Sequence, residues 1–93
     1  MEFEWDDDKA EANERKHGVT FTEAATVFAD PLGLTGYDPD HSDGEDRYVT
    51  MGQSAEGRLL IVSHTDRDEK VRIISARVAS RAERKDYEDG NFP

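Results

Sequence analysis

Apolar residues are sparse over the first twenty positions, recur at helical spacing from Phe21, and alternate or run together in three stretches between residues 47 and 78. Phe3-Glu4-Trp5 is aromatic and alternating, and predicts a short first strand. Asp6 can cap the helix that follows, with more acids in the first turn, Arg15, Lys16 and His17 in the last, and Gly18 as a left-handed stop. Only Ala10 and Ala12 are non-polar inside that helix, so its position must depend partly on Phe3, Trp5 and Val19. Thr20-Phe21-Thr22-Glu23 reads as a capping box, in which hydroxyl and carboxylate reciprocally satisfy backbone donors. Phe21, Ala24, Ala25 and Phe28 then share one helical face, read as core, and Asp30-Pro31 ends the helix.

Residues 31–46 are loop-like, with Leu32, Leu34 and Tyr37 as a brief edge strand. Three strands are expected at 47–53, 58–65 and 70–78, joined by short turn-rich links that suit an antiparallel meander. Leu59-Leu60-Ile61-Val62 is apolar on both faces, which predicts a central, covered strand. Alternation in the third strand places Val71, Ile73, Ser75 and Arg77 on one face and Arg72, Ile74 and Ala76 on the other. Ser80-Arg81-Ala82-Glu83 is a second capping box, opening a helix to about Glu88, after which the tail is expected to fray. The expectation is one α+β domain over residues 1–93: strand, helix, helix, a three- to four-stranded antiparallel meander, and a C-terminal helix.

Charge changes this picture. The net charge of −10 argues against nucleic acid, yet nine of the twelve Lys and Arg residues lie from Arg47 onward, six of them between Lys70 and Lys85. In so acidic a chain, cations gathered on one strand-helix unit suggest a place to hold a polyanion. The acidic first half could repel RNA, solvate the protein in high salt, or dock a basic partner. The absence of cysteine rules out a disulfide framework and a thiol nucleophile. No apolar run approaches the roughly 18 residues needed to span a bilayer, and the N-terminus lacks signal-peptide regions, so a soluble, cytoplasmic protein is expected.

Most enzyme templates fail. His17, His41 and His64 are more than twenty residues apart, which gives no metal-site signal. The acidic tract 38–46 misses the EF-hand register, with Asp43 where glycine is needed and Val49 where glutamate is needed. Phosphate loops, nucleophile elbows and dinucleotide fingerprints are absent from the sequence. What remains is acid–base chemistry on a phosphodiester without metal or cofactor: a base for the 2′-OH, an acid for the leaving 5′-oxygen, and fixed cations for the transition state.

Several runs carry a family likeness: Phe3-Glu4-Trp5-Asp6 with Lys9 and Asn13, Arg15-Lys16-His17-Gly18-Val19 with Phe21 and Glu23-Ala24, Val27-Phe28 with Asp30-Pro31, and Glu45-Asp46-Arg47. Gly52-Gln53-Ser54, Val62-Ser63-His64-Thr65 and, most specifically, Arg72-Ile73-Ile74-Ser75-Ala76-Arg77 with Glu83-Arg84 and Tyr87 complete it. On these residues the chain resembles the BrnT toxins of toxin–antitoxin pairs, relatives of the RelE-type ribonucleases, from residue 2 to about residue 88. The resemblance implies a compact RelE-like domain and a ribonuclease that stops translation. It also implies a DNA-binding BrnA-type antitoxin as partner, with operator DNA reached only through the toxin–antitoxin complex. The strong acidity departs from the neutral to basic charge expected of such toxins, and marks either salt adaptation or lost RNA affinity.

Among candidate residues, Arg72 and Arg77 suit phosphate contact, but on opposite strand faces they cannot share a site unless a bulge or a strand end re-aims one. Arg77 could instead pair with Glu83. His64 can serve as acid or base or be a partly buried structural histidine. The RNA-binding candidates are Lys16, His17, Arg47, Arg81, Arg84 and Tyr87. Against them stand a helix-cap role for His17, salt-bridging of Arg47 to the acidic loop, and a core role for Tyr87. The competing functions are a weakly active module that works mainly in an antitoxin complex as co-repressor, and a divergent regulatory domain without toxicity.

Overall fold

A computed structural model describes residues 1–91. The strands are β1 (Glu2–Glu4), β2 (Leu34–Tyr37), β3 (Tyr48–Gln53), β4 (Leu59–Arg67) and β5 (Lys70–Val78), and the helices are α1 (Asp7–His17), α2 (Phe21–Thr26) and α3 (Arg81–Asp89). The strands form one mixed sheet in the order β1-β5-β4-β3-β2. The last four strands of the chain make the expected antiparallel meander, and β1 closes its other side, parallel to β5. Among the described residues no helix is long and apolar enough to cross a membrane. The expectation of a frayed tail after Asp89 lies outside the described residues at positions 92 and 93; before them Gly90 caps α3 and the Asn91 N–H donates to the Asp86 carbonyl at 2.8 Å.

The central strand is β4, with Leu59, Leu60, Ile61 and Val62 all buried. On one face Leu60, Val62, Ile73 and Ala76 pack against Val19, Phe21, Ala24 and Val27, and so bury the α1–α2 side. On the other, Met51, Leu59 and Ile61 pack against Ala79 and Tyr87, the contact that seats α3. The second helix is shorter than the sequence predicts, because it tightens into a 3-10 turn at Val27–Ala29. Val27 is thereby fully buried against β3. Gly52 permits that approach, since a Cβ there would meet Val27 Cγ1 at 2.7 Å.

Half of the first capping box forms. Thr20 Oγ1 accepts from the Glu23 N–H, but the Glu23 carboxylate turns inward, accepting from Ser54 Oγ and from the Arg58 guanidinium. Burial of Glu23 explains the choice: a carboxylate facing the core needs a cation more than a backbone donor. Arg58 dominates the lowering of the Glu23 pKa, outweighing the effect of burial. In α3 both halves of the box are present.

Alternation in β5 also breaks. Ser63 opposes Ser75, but His64 opposes Ile73, which leaves Ile74 as an unpaired bulge residue. One extra residue reverses side-chain parity across it. Val71 and Ile73 therefore share the helix-covered face with Ala76, not with Ser75 and Arg77. Arg72 joins Arg77 on the other face, where its guanidinium bonds Glu4 at 2.7 Å.

Candidate active site

The sheet face opposite α1 and α2 carries an open groove of about 630 Å³ beside α3. The sheet contributes Ile61, Ser63 and Ser75 to its lining, and Arg77, Glu83, His17 and His41 line it as well. It continues toward Arg47 and the bulged Ile74, sharing Asp38, His41, Ser63 and Ser75 with that extension.

Arg77 is anchored by Glu83 in a bidentate pair of 2.7 and 2.8 Å. Glu83 also accepts from the Ser80 N–H at 2.8 Å, so the cap of α3 and the orientation of the guanidinium are one device. The Arg77 guanidinium is the main cause that holds the Glu83 carboxyl down at about 2, against an opposing effect of burial and with help from the Ser80 N–H. Arg77 is correspondingly raised, chiefly by Glu83.

His17 reaches the groove because of Asn13. Beyond Arg72 the edge of β5 has no strand beside it among the described residues, and the buried Asn13 carboxamide takes that place. Its Oδ1 accepts from the Ala76 N–H at 3.1 Å, while its Nδ2 donates to the Ala76 carbonyl at 2.9 Å and the Val19 carbonyl at 3.0 Å. This helix, poor in apolar residues, is pinned by one polar side chain next to Arg77, and His17 lies one turn further on the same side. Gly18, at φ 68°, then turns the chain into the core residue Val19.

The remaining candidates divide. Arg47 is half-buried in the groove extension, and among the described residues its side chain makes no ion pair; Arg67 takes Glu45 from the acidic loop instead. Lys16, Arg81 and Arg84 are exposed outside the groove. Tyr87 packs under α3 against the Met51 cluster and donates its hydroxyl to Asp30 at 2.6 Å. That bond, more than burial, pushes its pKa up to about 12.

His64 is not brought together with the arginines. It is buried on the helix-covered face between Phe28 and Tyr48, its Nε2 is 2.7 Å from Thr50 Oγ1, and among the described residues its Nδ1 has no partner. Burial pushes its pKa down, against a weaker upward pull from Asp66. Sequence reasoning missed Asn13 and His41 as contributors. A buried polar residue in an otherwise solvated helix is a weak signal for the first. Nothing local marks the second, since only the folded path of residues 38–47 brings it over the sheet.

The family model described as the ribonuclease toxin BrnT of type II toxin–antitoxin systems matches residues 5–83. No curated protein sequence matches the chain. Among solved structures, the crystal structure of the Brucella abortus ribonuclease toxin BrnT is similar at a TM-score of 0.63 and 24% identity, over 87% of this chain and 99% of that one. At that identity the likeness carries the fold, an α+β arrangement common to both.

Proposed function

The chain belongs to the BrnT family of ribonuclease toxins of type II toxin–antitoxin systems, and from that premise we propose that it is a single-domain endoribonuclease that cuts RNA in the groove without a metal ion. One observation carries the reading. The Ile74 bulge turns Arg72 to the face that Arg77 and Arg47 occupy, so that one sheet surface carries three arginines, Arg77 and Arg47 lining the groove and its extension and Arg72 beyond them, paired with Glu4. Arg77 stabilises charge on the phosphorane-like transition state, Arg47 and Arg72 hold flanking phosphates, and His17 moves a proton at the reacting oxygens. Such cutting stops translation in the cytoplasm. A BrnA-type antitoxin neutralises it, and operator DNA is met only through that complex.

The test is induction of the chain alone in a bacterial host beside Arg77→Ala and His17→Ala. Growth arrest with RNA cleavage is expected from the wild type and relief from either variant, and cleavage by the purified chain should survive excess EDTA. A folded wild type that neither arrests growth nor cuts RNA, in low or high salt, would overturn the reading. Its rival, a weakly active module working mainly in the antitoxin complex, draws on a specific feature: Arg72 and Arg77 already carry the carboxylates of Glu4 and Glu83.

A further inference from the structure

We infer that His41, held by Asp38, is the second proton-transfer residue of this groove, acting opposite His17. The inference rests on the reading of the groove as an RNA-cleaving site. Transesterification of RNA joins the 2′-oxygen to phosphorus and breaks the bond from phosphorus to the 5′-oxygen. One group must take the 2′-OH proton and another must give a proton to the departing 5′-oxygen. The first product is then a 2′,3′-cyclic phosphate and a 5′-hydroxyl, balanced without any co-reactant. His17 supplies one such group. His64 is buried on the other side of the sheet, and Tyr87 is engaged by Asp30 beneath α3.

His41 meets the requirement on three counts. It lines the same groove as His17 and Arg77, and the same extension as Arg47. Its Nδ1 lies 2.8 Å from Asp38 Oδ2, a carboxylate–imidazole pairing that fixes the ring and leaves Nε2 as the working nitrogen. Asp38 is itself fixed, because its N–H donates to the Arg47 carbonyl at 2.9 Å, its carbonyl accepts from Ser42 Oγ at 2.6 Å and its Oδ1 accepts from the Asp40 N–H at 3.2 Å. The acidic tract 38–46, which fits no calcium loop, thus has work of another kind: it carries an imidazole over the sheet and orients it. Charged and titratable neighbours bearing on that imidazole are Asp38 and Asp40 in its own turn, Arg47 just before β3, and His17, Arg77 and Glu83 in the lining of the same groove.

The experiment compares wild type, His41→Ala, Asp38→Asn and His17→Ala on a fluorogenic oligoribonucleotide across pH 4.5 to 9, with thermal unfolding as the check on folding. His41 is exposed, so the fold should persist without its ring. Wild type should give a bell-shaped kcat profile. In His41→Ala, kcat should drop about 100-fold or more with KM within twofold, and one limb of the bell should disappear. His17→Ala should remove the opposite limb. Asp38→Asn, which changes only the positioning residue, should retain both limbs and lower kcat about tenfold with KM within twofold. Retention of both limbs in folded His41→Ala, at a kcat within threefold of wild type, would overturn the assignment while leaving the groove reading intact. An inactive wild type would overturn both.

Discussion

His64→Phe separates a structural histidine from a catalytic one, and the structure sets the size of the effect. In the folded chain His64 is buried and its pKa is lowered, whereas unfolding returns it to about 6.5. Below pH 6.5 the unfolded chain therefore binds the extra proton, and stability falls as pH falls, by at most about 1.4 kcal/mol per pH unit for this one group. Between pH 6.5 and 5 the loss reaches at most about 2 kcal/mol. Glu23 and Glu83, both lowered from 4.5, contribute losses only below that window. Phenylalanine removes the partnerless Nδ1 and keeps the ring between Phe28 and Tyr48, while Thr50 Oγ1 retains Thr35 Oγ1 at 2.7 Å. At pH 8 the two proteins should lie within about 1 kcal/mol of one another, the lost hydrogen bond and added bulk offsetting the orphan nitrogen. From pH 8 to pH 5 the balance should move toward the variant by up to about 2 kcal/mol, measured by urea unfolding followed through Trp5, which packs edge-on to Phe21. RNA cleavage should stay within a few fold. Parallel stability curves for the two proteins would refute the buried neutral imidazole, and a folded variant that lost cleavage about 100-fold would return His64 to the catalytic set.

Asn13→Ala should cost about 2–3 kcal/mol in urea unfolding, because the buried Ala76 N–H and carbonyl lose their partners, and cleavage should fall in step as His17 loses its anchor. Glu23→Ala should cost a similar amount in urea unfolding, since it strands Ser54 and the Arg58 guanidinium, which also donates to the Gly18 carbonyl beside His17; Arg58, being partly exposed, can turn to water and so limits the loss. Glu83→Gln should cost about 1 kcal/mol at neutral pH, the pair being discounted because the Arg77 side chain is 45% exposed. Wild type should show this contribution in full above pH 4.5 and lose it as pH falls toward 2, whereas the variant should lack that acid transition.

Much of the fold was legible because local chemistry and tertiary demand agree. Helix caps at Asp6, Thr20 and Ser80, the glycine stop at Gly18 and the apolar run of β4 all stand where periodicity puts them. Two failures share a cause: each turns on a partner distant in sequence. Glu23 looks like a capping residue until Arg58, thirty-five positions on, is folded against it. The β5 alternation looks strict until the register against β4 inserts Ile74 as an extra residue. That slip governs the site as well, since a strand read as regular sends Arg72 to the wrong face. The groove itself was half legible. Arg77 and its Glu83 partner follow from a short local run, whereas bringing His17 and His41 to one surface needs Asn13 at the edge of β5 and the returning loop before β3.

The carboxylate on the groove arginine Arg77 bears on whether so acidic a chain can hold RNA. If Glu83 competed with phosphate, its removal would tighten binding; if it orients Arg77, its removal would slow cleavage. A guanidinium has five N–H donors. Glu83 takes one bond from each terminal nitrogen of Arg77, so three donors remain for a phosphate approaching from the groove. The pair also restricts a long, flexible side chain, whose ordering must otherwise be supplied when RNA binds. Orientation is therefore the larger effect, and Glu83→Gln should lower kcat with KM nearly constant. The same reasoning bears on the net charge of −10. Long-range repulsion slows the approach of RNA and is screened beyond about 10 Å at 0.1 M salt, whereas contacts inside the groove are screened much less. Moderate salt should thus raise the rate of encounter before it weakens the phosphate contacts, giving cleavage an optimum in ionic strength where a uniformly basic ribonuclease would show only decline.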